Sequence, residues 1–148
     1  MENSRELLLK AAAEMFYKQG YERTNMRDLA EKVGLTSGTI FYYFKTKEQI
    51  LLEVMIEGIR RANEALDEEL AKANSTRERL LALFKAHLRV LLRDATESMA
   101  SFLYEMRSLS PENRRHIIEL RDAYEKKWQQ VMDEAAREGL IAANTRIT

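Results

Sequence analysis

The side chains best suited to bind another molecule lie in a run without acidic residues between Gly34 and Lys47. Lys45 and Lys47 supply positive charge there, and Gly38 allows a close approach of the backbone. Hydroxyl and ammonium groups donate hydrogen bonds to phosphate oxygens and to base edges. The run therefore favours a surface that faces phosphates, although a formal net charge of zero predicts only modest non-specific affinity. Its hydroxyl groups include those of Thr36, Ser37, Thr39, Tyr42 and Tyr43.

Two short helices around a glycine turn are predicted to position these side chains. The first, about 26–33, has apolar residues at amphipathic spacing, and Gly34 follows where helices commonly end in a left-handed residue. Thr36 or Ser37 then caps a second helix, about 37–44. Helix, glycine turn and capped helix form the pattern of a DNA-binding helix-turn-helix. The second helix should bury Ile40 and Phe44 and expose Ser37, Gly38, Thr39, Tyr42 and Tyr43.

Length and composition predict an all-α chain of one or two domains. The 148 residues are 45% hydrophobic and 32% charged, with a single proline and no β-type alternation. No cysteine is present, which excludes disulfides and thiolate metal sites and fits a cytoplasmic protein. The N-terminus does not have the pattern of a signal peptide, and no apolar run approaches the roughly 20 residues that span a bilayer.

The remaining helices complete two units. Thr24 or Asn25 caps the helix at 26–33, and Ser110 followed by Pro111 is a strong helix start. A three-helix bundle at 1–45 should hold the helix-turn-helix, and a long helix from Lys47 should join it to a larger helical domain at 46–148. Besides the two helices already described, the predicted helices span about 4–19, 47–72, 76–93, 97–107 and 111–138.

Two stretches closely resemble the N-terminal domain of the tetracycline-repressor (TetR) family: Arg27-Asp28-Leu29-Ala30, and 33–48 with the sequence VGLTSGTIFYYFKTKE. The resemblance implies a homodimeric repressor that binds a palindromic operator in double-stranded DNA. A small molecule in the C-terminal ligand-binding and dimerisation domain would release it. The same resemblance implies DNA contacts by Arg27, Thr36, Ser37, Gly38, Thr39, Tyr42, Tyr43 and Lys47, with Arg27 and Lys47 on backbone phosphates.

Two departures from the family pattern affect these expectations. Phe41 stands where the family often has tyrosine, so one phosphate contact should be missing and core packing is expected for this ring. Core packing is also the alternative for Tyr42 and Tyr43. Family members usually continue through two more long helices that build most of the dimer interface, and this sequence stops before them. Dimerisation therefore comes from the resemblance alone.

The stretch 102–115 is similar to acyl-CoA-responsive members of the family, so an acyl-CoA is one candidate effector. Arg107 and its neighbours Arg114, Arg115 and Arg121 could meet an anionic head group. The alternative is that the apolar residues form the helical core and the arginines pair with nearby glutamates. The expected ligand-binding residues are Phe84, His87, Leu88, Leu91, Phe102, Met106, Arg107, Tyr124 and Trp128.

Other functions find less support in the residues. An enzyme or a metal site would need a convergent set of side chains, and the sequence has two histidines, no cysteine and no glycine-rich phosphate loop. His87 lies on an apolar helix face, which favours a structural or pocket histidine over a base or ligand. No cofactor is expected. A helical adaptor without specific DNA binding is the alternative function, and it leaves the acid-free run unexplained.

Overall fold

The computed structural model describes residues 3–146, which form α-helices, one π-helical turn and one 3₁₀ turn, with no strand in that range. The all-α prediction is confirmed. Residues 1, 2, 147 and 148, at the ends of the predicted domains 1–45 and 46–148, lie outside the described range. The helices are α1 (Ser4–Gln19), α2 (Met26–Lys32), α3 (Ser37–Tyr43), α4 (Lys47–Ala71), α5 (Thr76–Arg89), α6 (Thr96–Tyr104) and α7 (Pro111–Arg137); the π-helical turn is Val90–Asp94 and the 3₁₀ turn Met106–Ser108.

The chain packs into two compact units. The first unit combines residues 1–58 with 97–117, and the second combines 59–96 with 118–148. The predicted domains are defined by function instead, with DNA binding at 1–45 and ligand binding and dimerisation at 46–148. That assignment stays a prediction.

Side-chain caps fix where the N-terminal helices begin. The Asn3 side chain accepts from the Glu6 N–H at 2.9 Å, and the Glu6 carboxylate accepts from the Asn3 N–H at 3.2 Å. This reciprocal pair satisfies two N–H groups that the helix itself leaves unbonded. Asn25, rather than Thr24, caps α2 by accepting from the Asp28 N–H at 2.8 Å. The Thr24 hydroxyl instead donates to the Gly20 carbonyl at 2.9 Å.

The first unit has a continuous apolar core. Leu8, Leu29, Ile40 and Phe44 have no exposed surface, so α1, α2 and α3 all contribute to it. The first half of α4 adds Ile50, Leu51 and Met55, also fully buried. A side-chain Cβ placed on Gly58 of α4 would lie 3.1 Å from the Ser98 Cβ of α6. Glycine therefore permits α4 and α6 to pack closely in this unit.

Polar bridges tie α5 and α7 together in the second unit. Arg79 donates to both carboxylate oxygens of Glu134, at 2.7 and 3.1 Å, in the bidentate arrangement that arginine favours. The buried Thr76 hydroxyl donates to Glu138 at 2.7 Å. Leu66, Leu83, Ala86 and Ala135 are fully buried and form the core of this unit.

The structure corrects two predictions for 76–93. The α-helix ends at Arg89, and the Ala95 N–H bonds to the Val90 carbonyl, five residues back. The residues predicted to face inward also do not all do so. Phe84 and Leu88 are each 55% exposed, because they lie on the side of α5 opposite its buried residues. Leu92 was likewise predicted to face inward, and it is 77% exposed.

Candidate nucleic-acid interface and effector site

Backbone hydrogen bonds at Gly34 determine the turn between α2 and α3. The Leu35 N–H donates to the Ala30 carbonyl at 2.8 Å, and the Gly34 N–H donates to the Glu31 carbonyl at 3.1 Å. This pair forms a Schellman motif, whose left-handed residue is Gly34 with φ 71°. A side chain at Gly34 would be strained at this φ, so the glycine determines the path into α3.

Thr36 is the residue that caps α3. Its hydroxyl oxygen accepts from the Thr39 N–H at 3.2 Å and lies 2.9 Å from the Thr39 hydroxyl oxygen. Thr36 is exposed and Thr39 is half-buried. The two hydroxyls form one small polar group at the N-terminus of α3, where backbone N–H groups also face outward.

The predicted exposed face of α3 is present. Tyr42 is 78% exposed, Ser37 and Gly38 are exposed, and the half-buried Tyr43 ring contacts the Tyr42 ring edge-on at 5.2 Å. The expectation that Phe41 packs in the core is wrong. Phe41 is 46% exposed, because Ile40 and Phe44, four residues apart, occupy the buried side of this short helix.

Gly38 lies in open space. A Cβ built there would have only the Thr36 hydroxyl oxygen nearby, at 3.8 Å, which is ordinary van der Waals contact. Nothing in the described part of the chain therefore requires glycine at this position, although glycine in a helix costs up to about 1 kcal/mol relative to alanine. A partner that approaches the backbone from outside would explain it.

The cationic residues of this region differ in their surroundings. Arg27 and Lys45 are exposed, and their side chains have no hydrogen-bond or ion-pair partner within residues 3–146. The Lys47 ammonium instead donates to the Tyr21 carbonyl at 2.8 Å and lies 4.1 Å from the centre of the Tyr21 ring. One of the three ammonium hydrogens is thereby engaged within the protein, and its orientation is fixed.

Tyr21 is a residue that the sequence reasoning treated only as part of a connector. Its ring is buried against Phe16, with the ring centres 5.2 Å apart. Burial, and the charges of Glu48, Glu22 and Glu105, raise the pKa of the Tyr21 hydroxyl to about 12. An aromatic residue directly after the helix-ending Gly20 was the available signal for this packing role.

Two carboxylates link the start of α7 and the α6–α7 connection to the helix-turn-helix region within the first unit. Glu105 accepts from the Tyr21 N–H at 3.5 Å and from the Ser108 hydroxyl at 3.1 Å. Glu48, in the first turn of α4, accepts from the Ser110 N–H. Both links join residues more than 60 positions apart, so no local sequence pattern could reveal them.

Four of the expected ligand-binding side chains meet in the second unit. The Trp128 ring contacts Phe84, His87 and Tyr124, with ring centres 6.0, 5.6 and 6.4 Å apart. The other expected residue of α5, Leu88, is exposed, and Leu91 in the π-helical turn is half-buried. The remaining three expected residues, Phe102, Met106 and Arg107, belong to the first unit.

The arginines considered for an anionic head group are placed differently from one another. Arg114 donates to the carbonyls of Met106, Arg107 and Leu109 at 3.1 to 3.3 Å, which stabilises the connection before α7. The alternative expectation was that the arginines pair with nearby glutamates, and Arg114 pairs with backbone carbonyls instead. Arg121 pairs with Asp122 and Glu125. Arg107 is exposed, and its guanidinium has no partner in the described range.

Two kinds of feature are absent from residues 3–146. No group of three histidine, cysteine or acidic side chains is arranged there to hold a metal ion. No helix in that range is both long enough and apolar enough to cross a bilayer.

Comparisons with known proteins agree with this architecture. Residues 8–54 match the family described as bacterial regulatory proteins, tetR family. Residues 73–148 match the family described as tetracyclin repressor-like, C-terminal domain. The first match contains the whole α2–turn–α3 region, and the second contains α5, α6 and α7.

Individual proteins are similar over most of the chain. The fatty acid metabolism regulator protein of Bacillus subtilis (strain 168) is 27% identical over 134 residues, which cover 90% of this chain and 69% of the regulator. The solved structure of PfmR, a TetR family transcriptional regulator from Thermus thermophilus, is 30% identical with a TM-score of 0.82, covering 91% of this chain and 73% of PfmR. The structure of the superantigen PfiT is 44% identical with a TM-score of 0.85, covering 93% of this chain and 73% of PfiT.

Proposed function

Because the chain belongs to the TetR family of bacterial transcriptional regulators, we propose that it is a ligand-responsive, sequence-specific DNA-binding repressor. The observation that carries this proposal is the face of α3. It is polar, lacks acidic side chains, exposes 78% of Tyr42 and leaves open space at Gly38. A surface of this kind suits close approach to phosphates and base edges in a major groove.

Each candidate residue has a role in the proposed complex. Arg27, and the hydrogens of Lys47 that Tyr21 does not engage, bind backbone phosphates. The Tyr42 and Tyr43 rings lie against the groove, and the Gly38 backbone approaches it most closely. The exposed Phe41 ring, which has no hydroxyl, makes apolar contact beside Tyr42. The hydroxyls of Thr36, Ser37 and Thr39 bond to base edges or phosphates.

Assembly and location follow from this function. Two copies form a homodimer on a palindromic operator, with their α3 helices about 34–36 Å apart, one turn of DNA. The protein acts in the cytoplasm, where bacterial operators are found, and it is a regulator rather than an enzyme. The chain spans 69% of the length of its Bacillus subtilis relative, so these statements about the assembled protein are proposals.

An effector bound by the second unit controls DNA affinity in this proposal. The aromatic residues around Trp128, with Leu88 and Leu91, bind its apolar part. Phe102, Met106 and Arg107, which belong to the first unit, stay separate candidate effector contacts there, and an acyl-CoA is the candidate effector. The name of the Bacillus subtilis relative, a fatty acid metabolism regulator, supports that choice. A coupling of roughly 1–3 kcal/mol between effector and operator would suffice for regulation.

A helical adaptor without specific DNA binding is the alternative. The similarity to PfiT, which is described as a superantigen, bears on this alternative, because a shared fold does not by itself establish a shared function. The surface of α3 is what favours the repressor.

Tyr42→Ala tests the proposed surface. A duplex enriched from random sequence by the wild-type protein is titrated in mobility-shift assays with wild type, Tyr42→Ala and the control Tyr104→Ala, whose tyrosine is 72% exposed on α6. Tyr42→Ala should weaken specific binding by about tenfold, in the range of one lost base contact. Tyr104→Ala should bind like wild type. Equal affinity of all three proteins would refute the α3 contact.

A further inference from the structure

The single tryptophan of the chain lies at the centre of an aromatic cluster formed by Phe84, His87, Tyr124 and Trp128. Phe84 and His87 meet it edge-on from α5, with interplanar angles of 78° and 83°. Tyr124 lies one helical turn before it on α7 and is tilted by 59°. The cluster reaches the surface at Phe84, which is 55% exposed, while the other three side chains are half-buried.

The indole nitrogen of Trp128 is buried, and no acceptor among the described residues meets hydrogen-bond geometry with it, although it lies close enough to the Tyr124 hydroxyl to affect the pKa of that group. An indole N–H is only a donor, and leaving it unpaired away from water costs about 1–3 kcal/mol. The Tyr124 hydroxyl is the polar group beside it. Burial raises the pKa of Tyr124, while the indole N–H acts in the opposite direction. The hydroxyl therefore stays protonated at neutral pH and can donate as well.

Both donors are neutral groups, and the titratable side chain of the cluster is His87, whose ring contacts that of Trp128. No neighbouring charge contributes to the shift in the pKa of Tyr124. Of the basic residues near the cluster on α7, Arg121 pairs with Asp122 and Lys127 with Asp67, and Lys126 is exposed. A carboxylate brought to the buried indole nitrogen would lose its hydration in exchange for two neutral donors, whereas a neutral carbonyl oxygen would lose much less.

We propose that the Trp128 indole N–H, with the Tyr124 hydroxyl, binds the neutral carbonyl oxygen of an apolar ligand such as an ester. The apolar part of the ligand covers the exposed ring of Phe84 and the adjacent Leu88. This inference rests on the proposed function only in treating that ligand as the effector. It specifies the functional group that the site recognises.

The experiment uses methyl octanoate and octanoate, which share an apolar chain and differ in charge. Binding to the wild-type protein is followed by the fluorescence of its only tryptophan, and affinities of all variants are measured by calorimetry. Trp128→Phe keeps an aromatic ring but removes the N–H, and Tyr124→Phe removes only the neighbouring hydroxyl. Tyr17→Phe is the control, because Tyr17 is an exposed residue of α1. Circular dichroism confirms that each variant is folded.

Methyl octanoate should shift the tryptophan emission and bind more tightly than octanoate. Trp128→Phe should weaken ester binding by about tenfold, Tyr124→Phe by less, and Tyr17→Phe not at all. Equal ester affinity of Trp128→Phe and wild type, tighter binding of octanoate, or no binding of the ester would each overturn the proposal. Binding to the enriched duplex is measured separately. Ester binding that depends on Trp128 supports the contact whether or not the protein binds DNA.

Discussion

The ammonium group of Lys47 is held by a carbonyl 26 residues earlier in the chain, that of Tyr21. A lysine at the end of an acid-free run predicts a phosphate contact, and that role stays a prediction. The sequence could not reveal its second role, because the contact depends on how the connector after α1 folds back onto α4. The exposure of Phe41 was also not predictable from the sequence. A helix of seven residues is too short for periodicity to decide which side of the helix the ring next to Ile40 occupies.

Tyr21 gives the stability a specific dependence on alkaline pH. Its pKa is about 12 in the folded protein against an ordinary value of 10.0, so the unfolded chain loses this proton first. Between these two pH values the folded state binds more protons, and the free energy of unfolding should fall as pH rises. Below them the hydroxyl is protonated in both states and contributes no slope.

Tyr21→Phe isolates this effect, because it removes the hydroxyl and keeps the ring beneath Lys47. Urea unfolding of both proteins from about pH 9 to about pH 12 should show a steeper decline for wild type above the ordinary pKa of 10.0. Deprotonation of lysines affects both proteins alike. Parallel declines would mean that Tyr21 ionises equally in the folded and unfolded states.

Helices with polar caps and glycine ends were predictable from sequence, and others were not. The predicted bounds of α1, about 4–19, are the observed Ser4–Gln19, since Asn3 caps the start and Gly20 ends the helix. The stretch 76–93 was predicted as one α-helix. The spacing of its apolar residues does not distinguish α-helical hydrogen bonds, which reach the carbonyl four residues back, from π-helical ones, which reach the carbonyl five residues back. Arg89, directly before the π-helical turn, pairs with Asp94 at the end of the turn and with the distant Glu68.

Replacing each of the two glycines within helices by alanine should change the free energy of unfolding differently. Replacing Gly38 by alanine adds helix propensity in open space and should raise the free energy of unfolding by up to about 1 kcal/mol. Gly58→Ala adds the same propensity, but its Cβ would lie 3.1 Å from the Ser98 Cβ, so the gain should be smaller or become a loss. Urea unfolding measures both values. Equal gains would show that α4 and α6 do not require this close approach.

At the scale of the whole molecule, the fold class and family were predictable because the helix-turn-helix motif is local and long. Which segments of the chain pack together in each compact unit was not predictable from the sequence. The start of α7 belongs to the same compact unit as α3, and Glu48 and Glu105 contribute hydrogen bonds within that unit. These bonds join distant parts of the chain, and hydrophobic periodicity carries no information about such pairs.

The apolar side of α5 shows a second limit of sequence reasoning. Phe84, Leu88 and Leu92 have the spacing of inward residues, and the structure leaves them exposed. Periodicity identifies an apolar face, but the partner that covers it has to be present to make the face a core.

The central claim is that α3 reads DNA as part of a two-fold assembly. The most direct measurement is enrichment of binding sites from random duplex DNA, followed by titration of the enriched and scrambled duplexes over a range of salt concentrations. The account predicts a palindromic site with half-site centres about 10–10.5 base pairs apart, bound at least about a thousandfold more tightly than the scrambled duplex, with affinity falling as salt rises. Failure to enrich any sequence, or equal binding to both duplexes, would contradict it.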